Sequence, residues 1–136
     1  MNLLGRTKIV HSILPVVSNT ALTEAVIDCT GFDRVCHIIA VGDMATGATL
    51  DYKVTESAAS DASNATAVTG AELTQVKAAT GANKVYAIDI PVNPAKPYQI
   101  AVGVAASANV NVGAVAILYE GSGTFPKTAA TEAIIL

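Results

Sequence analysis

The chain has 136 residues, of which 51% are hydrophobic, 14% are charged and 4% are aromatic, with no Trp. A globular domain is typically about a quarter charged, so this apolar composition excludes intrinsic disorder, and the length fits a single domain. Eight Lys and Arg against eleven Asp and Glu give a net charge of -3 with no basic run, which excludes nucleic acid as a partner.

Small and β-branched residues dominate the chain, since Ala, Val and Thr occupy 55 of the 136 positions. Val and Thr favour the pleated sheet, where a branched Cβ packs well. Apolar segments bounded by turn residues predict short strands. In chain order these predicted strands are residues 8–17, 21–27, 34–41, 49–56 and 83–90.

Two of these strands have informative patterns. Residues 34–41 are apolar at both parities, with Val35, Ile39 and Val41 on one face and Cys36, Ile38 and Ala40 on the other. That pattern predicts a central strand covered on both faces. Residues 49–56 alternate, which predicts a half-solvated strand with Leu50, Tyr52 and Val54 inward and Asp51, Lys53 and Thr55 outward.

The middle of the chain contains one low-complexity segment, residues 57–69, which is rich in Ser, Ala, Asp, Asn and Thr and predicts an exposed loop. Residues 71–77 follow it. They predict either a short strand or a single helical turn, because Thr69 and Glu72 have the spacing of a capping box but the segment is too short for a stable helix.

Residues 97–119 form the longest uncharged run, yet four polar side chains and a period of two argue against a membrane span. The pattern predicts a hairpin with its turn near residues 106–109. After Gly113 the large residues change parity, so a bulge at this glycine is expected to return them to the core. They are Val115, Ile117 and Tyr119.

Together these elements predict an all-β protein, an antiparallel, jelly-roll-like β-sandwich of about eight strands with extended terminal arms. The sandwich is assigned to residues 1–120, with 1–8 as an N-terminal arm, and residues 121–136 are assigned to a C-terminal arm. The first residues lack the pattern of a signal peptide, which predicts synthesis in the cytosol.

The side chains able to carry chemistry are few and scattered. His11 and His37 are expected to be ordinary strand or core histidines. Cys29, Cys36 and His37 are three residues, and two cysteines seven positions apart with one histidine do not supply the four ligands of a structural zinc. The two cysteines are expected to be reduced and buried, although a turn between them leaves a disulfide open. Scattered carboxylates and the lack of a nucleophile motif predict no enzyme, no cofactor and no metal.

The C-terminal arm is the segment that predicts binding. Phe125, Ile134, Ile135 and Leu136 follow a Gly/Ser hinge, and such apolar residues are unfavourable in water. Two alternatives remain open: the arm folds back as an edge strand of its own sheet, or it docks on a neighbouring subunit by extending a sheet or filling a groove.

One stretch resembles a known class of protein. The sequence ATGATLDYKVTES at residues 45–57, then a polar loop and VTGA at 68–71, resembles small virion structural proteins of tailed bacteriophages. The likeness covers residues 33–120, with 96–119 similar to the closing hairpin of those proteins. It departs from their pattern at residues 57–67, where relatives often carry aspartates and a buried aromatic.

The resemblance implies a head decoration or cement protein, or another minor capsid component, made in the host cytoplasm and located on the capsid surface. Its implied partners are the major capsid protein and further copies of itself, in a symmetric oligomer such as a trimer, with no membrane and no nucleic acid. A carbohydrate- or receptor-binding sandwich of a phage tail or spike is the alternative. A cupin-type lyase or isomerase would need converging histidines, and the chain has two.

Overall fold

The computed structural model describes residues 3–121. Within this range the chain forms nine strands and one four-residue helix. Their bounds are β1 Lys8–Ser18, β2 Val26–Asp28, β3 Arg34–Met44, β4 Thr49–Ser57, β5 Thr66–Glu72, β6 Val76–Lys77, α1 Ala78–Gly81, β7 Lys84–Pro91, β8 Tyr98–Ala106 and β9 Val110–Tyr119.

The strands form two antiparallel sheets. The four-stranded sheet has the order β1-β9-β3-β7, and the five-stranded sheet has the order β2-β8-β4-β5, with β6 also pairing with β4. The first strand thus lies beside the last in one sheet, and the second lies beside the last but one in the other, which is the double Greek-key order of a jelly roll. The predicted all-β, jelly-roll-like sandwich is confirmed.

The alternation in β4 behaves as its sequence predicts on the inner side. Leu50, Tyr52 and Val54 are all buried in the core, and Lys53 is exposed. Thr55 differs from the prediction, because it is buried and its hydroxyl donates a hydrogen bond of 2.9 Å to the carbonyl of Ile100.

Strand β3 is central, as predicted, because it lies between β9 and β7. The prediction that both of its faces are covered is wrong for the described chain. The inward side chains from Val35 to Val41 are buried, whereas Cys36 and Ile38 are half-buried and Ala40 is exposed. Nothing within residues 3–121 buries this outward side of the sheet.

The predicted hairpin of residues 97–119 is wrong in its pairing. Strands β8 and β9 and the turn between them lie where the sequence places them. They belong to opposite sheets, however, since β8 pairs with β2 and β4 while β9 pairs with β1 and β3. The alternation is the same in either arrangement, because each strand buries one side against the shared core.

The predicted bulge at Gly113 is also absent, since β9 pairs with β3 in continuous register from Val112 to Tyr119. The irregular positions lie in β1 instead, between His11 and Val16. Consequently Ala114 and Ala116 face the core, and Val115 and Ile117 face outward. The alanines fit inside because larger inward side chains of β1 and β3 flank them.

The remaining predicted segments are partly right. The strand predicted at 21–27 shrinks to β2, preceded by isolated bridges at Ala21 and Glu24. The predicted loop 57–69 ends earlier, because β5 begins at Thr66, and the segment 71–77 contains the end of β5 and all of β6. Strand β7 agrees with the predicted strand 83–90. No helix within the described range is long and apolar enough to cross a membrane.

Candidate interaction surface

The four residues predicted to form a subunit-contact arm, Phe125, Ile134, Ile135 and Leu136, lie outside the described residues. The candidate site that the described residues supply is instead a sheet surface. It is the outward side of the four-stranded sheet, and we call it the open face. Its members are Ile9 and His11 of β1, Arg34, Cys36, Ile38 and Ala40 of β3, Val85, Ala87 and Asp89 of β7, and Gly113, Val115, Ile117 and Tyr119 of β9.

The open face follows directly from strand register. Ile38 pairs with Val115 on one side and with Ala87 on the other, while Ile117 is flanked by Cys36 and Ile9. Paired residues in an antiparallel sheet point to the same side, so these side chains form one continuous surface. Val85 at its margin is 69% exposed. A contiguous apolar surface of this kind on a soluble protein is typical of an interaction site.

Charge on the open face is confined to one end. Arg34 and Asp89 form an ion pair with N and O atoms 3.0 Å apart, and the Arg34 Nε also donates to the Tyr119 hydroxyl at 3.1 Å. The Tyr119 hydroxyl donates in turn to Asp89. That bond raises the pKa of Tyr119, because it stabilises the protonated phenol. The two charges are thus paired with each other, and the centre of the face is uncharged.

A shallow concavity of about 450 Å³ lies beside the centre of the open face. Small residues line part of it, among them Ala40, Gly42 and Gly113, and Pro15 lines it as well. A Cβ added at Gly113 would lie 3.2 Å from the Pro15 Cγ, so glycine allows the irregular part of β1 to approach β9 closely. Ile38 and Val115 also contribute to its lining.

The outer side of the five-stranded sheet has a different character. In β4, Asp51 and Lys53 lie on this side and pair with Val104 and Val102 of β8, and Lys53 also pairs with Glu72 of β5. The Asp51 carboxylate accepts hydrogen bonds from the Gln75 amide at 3.1 and 3.2 Å. Acidic and basic residues therefore lie among the apolar ones, as on an ordinary solvated surface.

Between the sheets lies a buried polar network. His37 and Gln99 share a hydrogen bond of 2.9 Å between Nε2 and Oε1, and the Tyr52 hydroxyl lies 3.4 Å from both His37 Nδ1 and Ser12 Oγ. Burial lowers the pKa of His37 and raises that of Tyr52 to about 12. His37 is fully buried, as expected for a core histidine, and its neutral ring joins the two sheets without access to solvent.

Neither cysteine is in a disulfide. Cys29 is buried, and burial raises the pKa of its thiol to about 12. Cys36 is half-buried on the open face rather than buried as expected, and burial together with Asp89 raises the pKa of its thiol. A raised thiol pKa disfavours the nucleophilic thiolate. Among residues 3–121 no three His, Cys, Asp or Glu side chains are placed to hold a metal ion.

The open face was not predicted, although the amino-acid sequence contains two patterns that indicate it. Apolar residues at both parities of β3 indicate a cover on each side, and the parity change after Gly113 leaves large residues outward when no bulge occurs. Taken together, these two patterns describe a strand pair whose outer surface is as apolar as its inner one.

Comparison with known proteins adds a fold relationship. No family model matches the chain, and no curated protein matches it in sequence. The chain is similar to a chain in the structure of infectious bursal disease virus Gx strain, with a TM-score of 0.53 and 9% identity over 89% of this chain. It spans 33% of that viral chain. At this identity the match shows a shared sandwich fold.

A second similar structure is that of Bacillus endospore appendages, described as a novel family of disulfide-linked pili. It has 15% sequence identity, and the match covers 90% of this chain and 96% of that one. Its TM-score of 0.37 is too low to indicate a common architecture.

Proposed function

We propose that this protein is a non-enzymatic structural component of a bacteriophage capsid, which decorates or cements the shell of major capsid protein through protein-protein contacts. The single observation that carries the proposal is the open face. Exposure of Ile38, Val115 and Ile117 to water on a surface with almost no charge is unfavourable in free energy. Burial of this surface against another protein removes the unfavourable contact with water.

The fold supports this proposal. Jelly rolls occur in viral capsid proteins, in lectins and in cupins, and the similarity to a chain of a virus structure falls within this architecture. The resemblance of residues 45–57 and 68–71 to small phage virion proteins supports the same reading independently of the fold.

Such a protein acts by adding the contacts of many copies to one shell. Each copy contributes a small interface, and many copies on one shell act together, because linked binding sites raise the effective concentration of every further contact. A ligand that binds only the assembled state stabilises it by mass action. The expected partners are the major capsid protein and other copies of this chain, on the surface of the virion.

The alternative, a carbohydrate- or receptor-binding sandwich, receives less support from the described residues. Sugar sites stack rings on exposed aromatic side chains. Of the tyrosines in residues 3–121, Tyr52 is buried in the core and the other three are half-buried, at positions 86, 98 and 119. Tyr119 is also engaged with Arg34 and Asp89.

The proposal is tested on the virion itself. Mass spectrometry of purified particles from the phage that encodes the chain is expected to find it in many copies per shell. Shells from which the chain has been removed are expected to break at lower temperature and to recover when purified chain is added back. Absence of the chain from purified particles would refute the proposal.

A further inference from the structure

We propose that the open face binds a second copy of this chain, sheet against sheet, about a two-fold axis. The inference deepens the proposed function and rests on it for the contact surface, and of the two partners expected there it assigns this face to a second copy of the chain.

Shape is the first argument. Ile38 of β3 and Val115 and Ile117 of β9 are the large aliphatic side chains at the centre of the open face, and we call these three residues the ridge. The concavity lined by Ala40 and Gly113 lies directly next to this ridge along the same two strands. One part with large side chains and one hollow part with small residues therefore follow each other along the strand direction.

The neighbouring ridge and concavity make the open face complementary in shape to a second copy of itself. In a two-fold contact the same patch is used by both copies, so that each feature meets a different feature of its partner. The two-fold axis would lie in the interface between the two copies, parallel to their facing sheets and perpendicular to their strands. If it passes between Ile38 and Ala40, the ridge of each copy lies over the concavity of the other. Aligned sheets pack about 10 Å apart in this way.

Charge is the second argument. Arg34 and Asp89 neutralise one another at one end of the face, and the exposed Asp43 lies at the other end, where β3 turns into its following loop. The antiparallel arrangement brings the Arg34 end of one copy toward the Asp43 end of its partner. Like charges are thereby kept apart, and the uncharged centre is buried.

Area is the third argument. Four strands spaced by about 4.8 Å, each contributing about 26 Å of length, give the face a projected area of roughly 500 Å². Two copies would therefore bury roughly 1,000 Å² or more, since side chains roughen the surface. That value is at the lower limit for a specific interface. We expect a dimer that forms readily at high local concentration.

The last described residues of the chain lie at the edge of the sandwich and not on the open face. The Asp33 amide donates a hydrogen bond of 3.0 Å to the carbonyl of Glu120. A Cβ on Gly121 would collide with the Gly31 carbonyl oxygen, so this residue packs against the connection between β2 and β3. The last described residue is therefore held at the junction of the two sheets and not over the open face.

The test is sedimentation equilibrium of the full chain over a wide concentration range. We expect a monomer-dimer equilibrium. Ile38→Asp is expected to weaken dimerisation at least tenfold, because it places a carboxylate on the ridge. Val102→Asp is the matched control, since Val102 is also half-buried on the outer side of a central strand, but in the other sheet, and it should leave dimerisation unchanged.

A second variant distinguishes loss of dimerisation from loss of folding. Ala40 is exposed in the single chain, so Ala40→Asp should fold normally, as checked by circular dichroism, and still weaken dimerisation at least tenfold. A dimer that survives in folded Ala40→Asp would overturn the inference.

Other occupants of the face are distinguished by the same measurement. A chain shortened to residues 1–121 is expected to remain dimeric, and a purely monomeric shortened chain would assign the contact to residues 122–136. A trimer, or a full chain that stays monomeric but binds shells through the open face, would also overturn the inference. That last outcome would leave the proposed function intact.

Discussion

The two outer surfaces of this sandwich are built from the same kind of strand, yet they differ in what they present to solvent. On the five-stranded sheet, Asp51, Lys53 and Glu72 lie among the valines. On the open face the centre is aliphatic, and its only ion pair, between Arg34 and Asp89, lies at one end. One surface therefore mixes charged and apolar residues, as solvated surfaces do, whereas the other is nearly uncharged at its centre, which is the property on which the proposed contact rests.

The largest effect should be the difference in unfolding free energy between an Asp placed on the inner side of β9 and an Asp placed on its outer side. Ala116 is fully buried, so Ala116→Asp would place a carboxylate in the core and cost more than about 3 kcal/mol of unfolding free energy. Ile117→Asp, one residue later on the open face, should cost about 1 kcal/mol. Urea denaturation of both variants measures the difference, and equal losses would contradict the assigned register.

A second effect, the pH dependence of stability, concerns the buried His37 and neither of the outer surfaces. The native pKa of His37 is lowered from 6.5 by burial, so the unfolded chain binds a proton first as the pH falls. Stability from the neutral ring is complete above pH 6.5 and is lost as the pH falls below 6.5 toward the lowered native value. Each unit of pKa difference contributes about 1.4 kcal/mol.

The measurement is urea denaturation between pH 7.5 and pH 5, compared with His37→Gln. Burial also raises the pKa of Glu24 from 4.5, so only the difference between the two chains reports on His37. The variant should be less stable at pH 7.5 and should lose less stability on acidification. Parallel curves for the two chains would show that His37 does not titrate on unfolding.

A smaller effect compares one exposed valine on each of the two surfaces. Val85 on the open face and Val104 on the five-stranded sheet are both exposed, at 69% and 39%. Each Val→Lys change should alter the unfolding free energy by no more than about 0.5 kcal/mol. Only Val85→Lys should weaken self-association, by a few-fold, in sedimentation experiments. An equal effect of Val104→Lys would remove the distinction between the surfaces.

The smallest effect is expected at the ion pair. Arg34 and Asp89 are solvent-exposed, and exposed pairs often contribute nothing measurable. Arg34→Gln should therefore leave the melting temperature unchanged at both low and high salt. A clear loss of melting temperature at low salt would show that this cluster organises the end of the open face.

Sequence alone predicts the strands and their inward residues well, because alternation is a local signal. Leu50, Tyr52 and Val54 are inward in β4, as their spacing indicates. The sandwich class follows from the same local patterns.

Strand partnership could not be predicted, because it is set by contacts between distant segments. Residues 98–119 have the alternation and the short turn of a hairpin, and nothing local reveals that β8 and β9 lie in different sheets. The open face was missed for a related reason. The expected bulge at Gly113 assumes that Val115 and Ile117 must be inside, whereas the space there is filled by Ile13, His37 and Ile39 beside two alanines.

The native cysteines allow the central claim, that the open face is a contact surface, to be measured without substitution. Cys36 lies on the open face, and Cys29 lies in the core. We predict that a maleimide modifies Cys36 in the dilute chain, that Cys36 is protected in the purified particle and at concentrations where the chain dimerises, and that Cys29 is unmodified throughout. Equal modification of Cys36 in the free and assembled states would contradict the account.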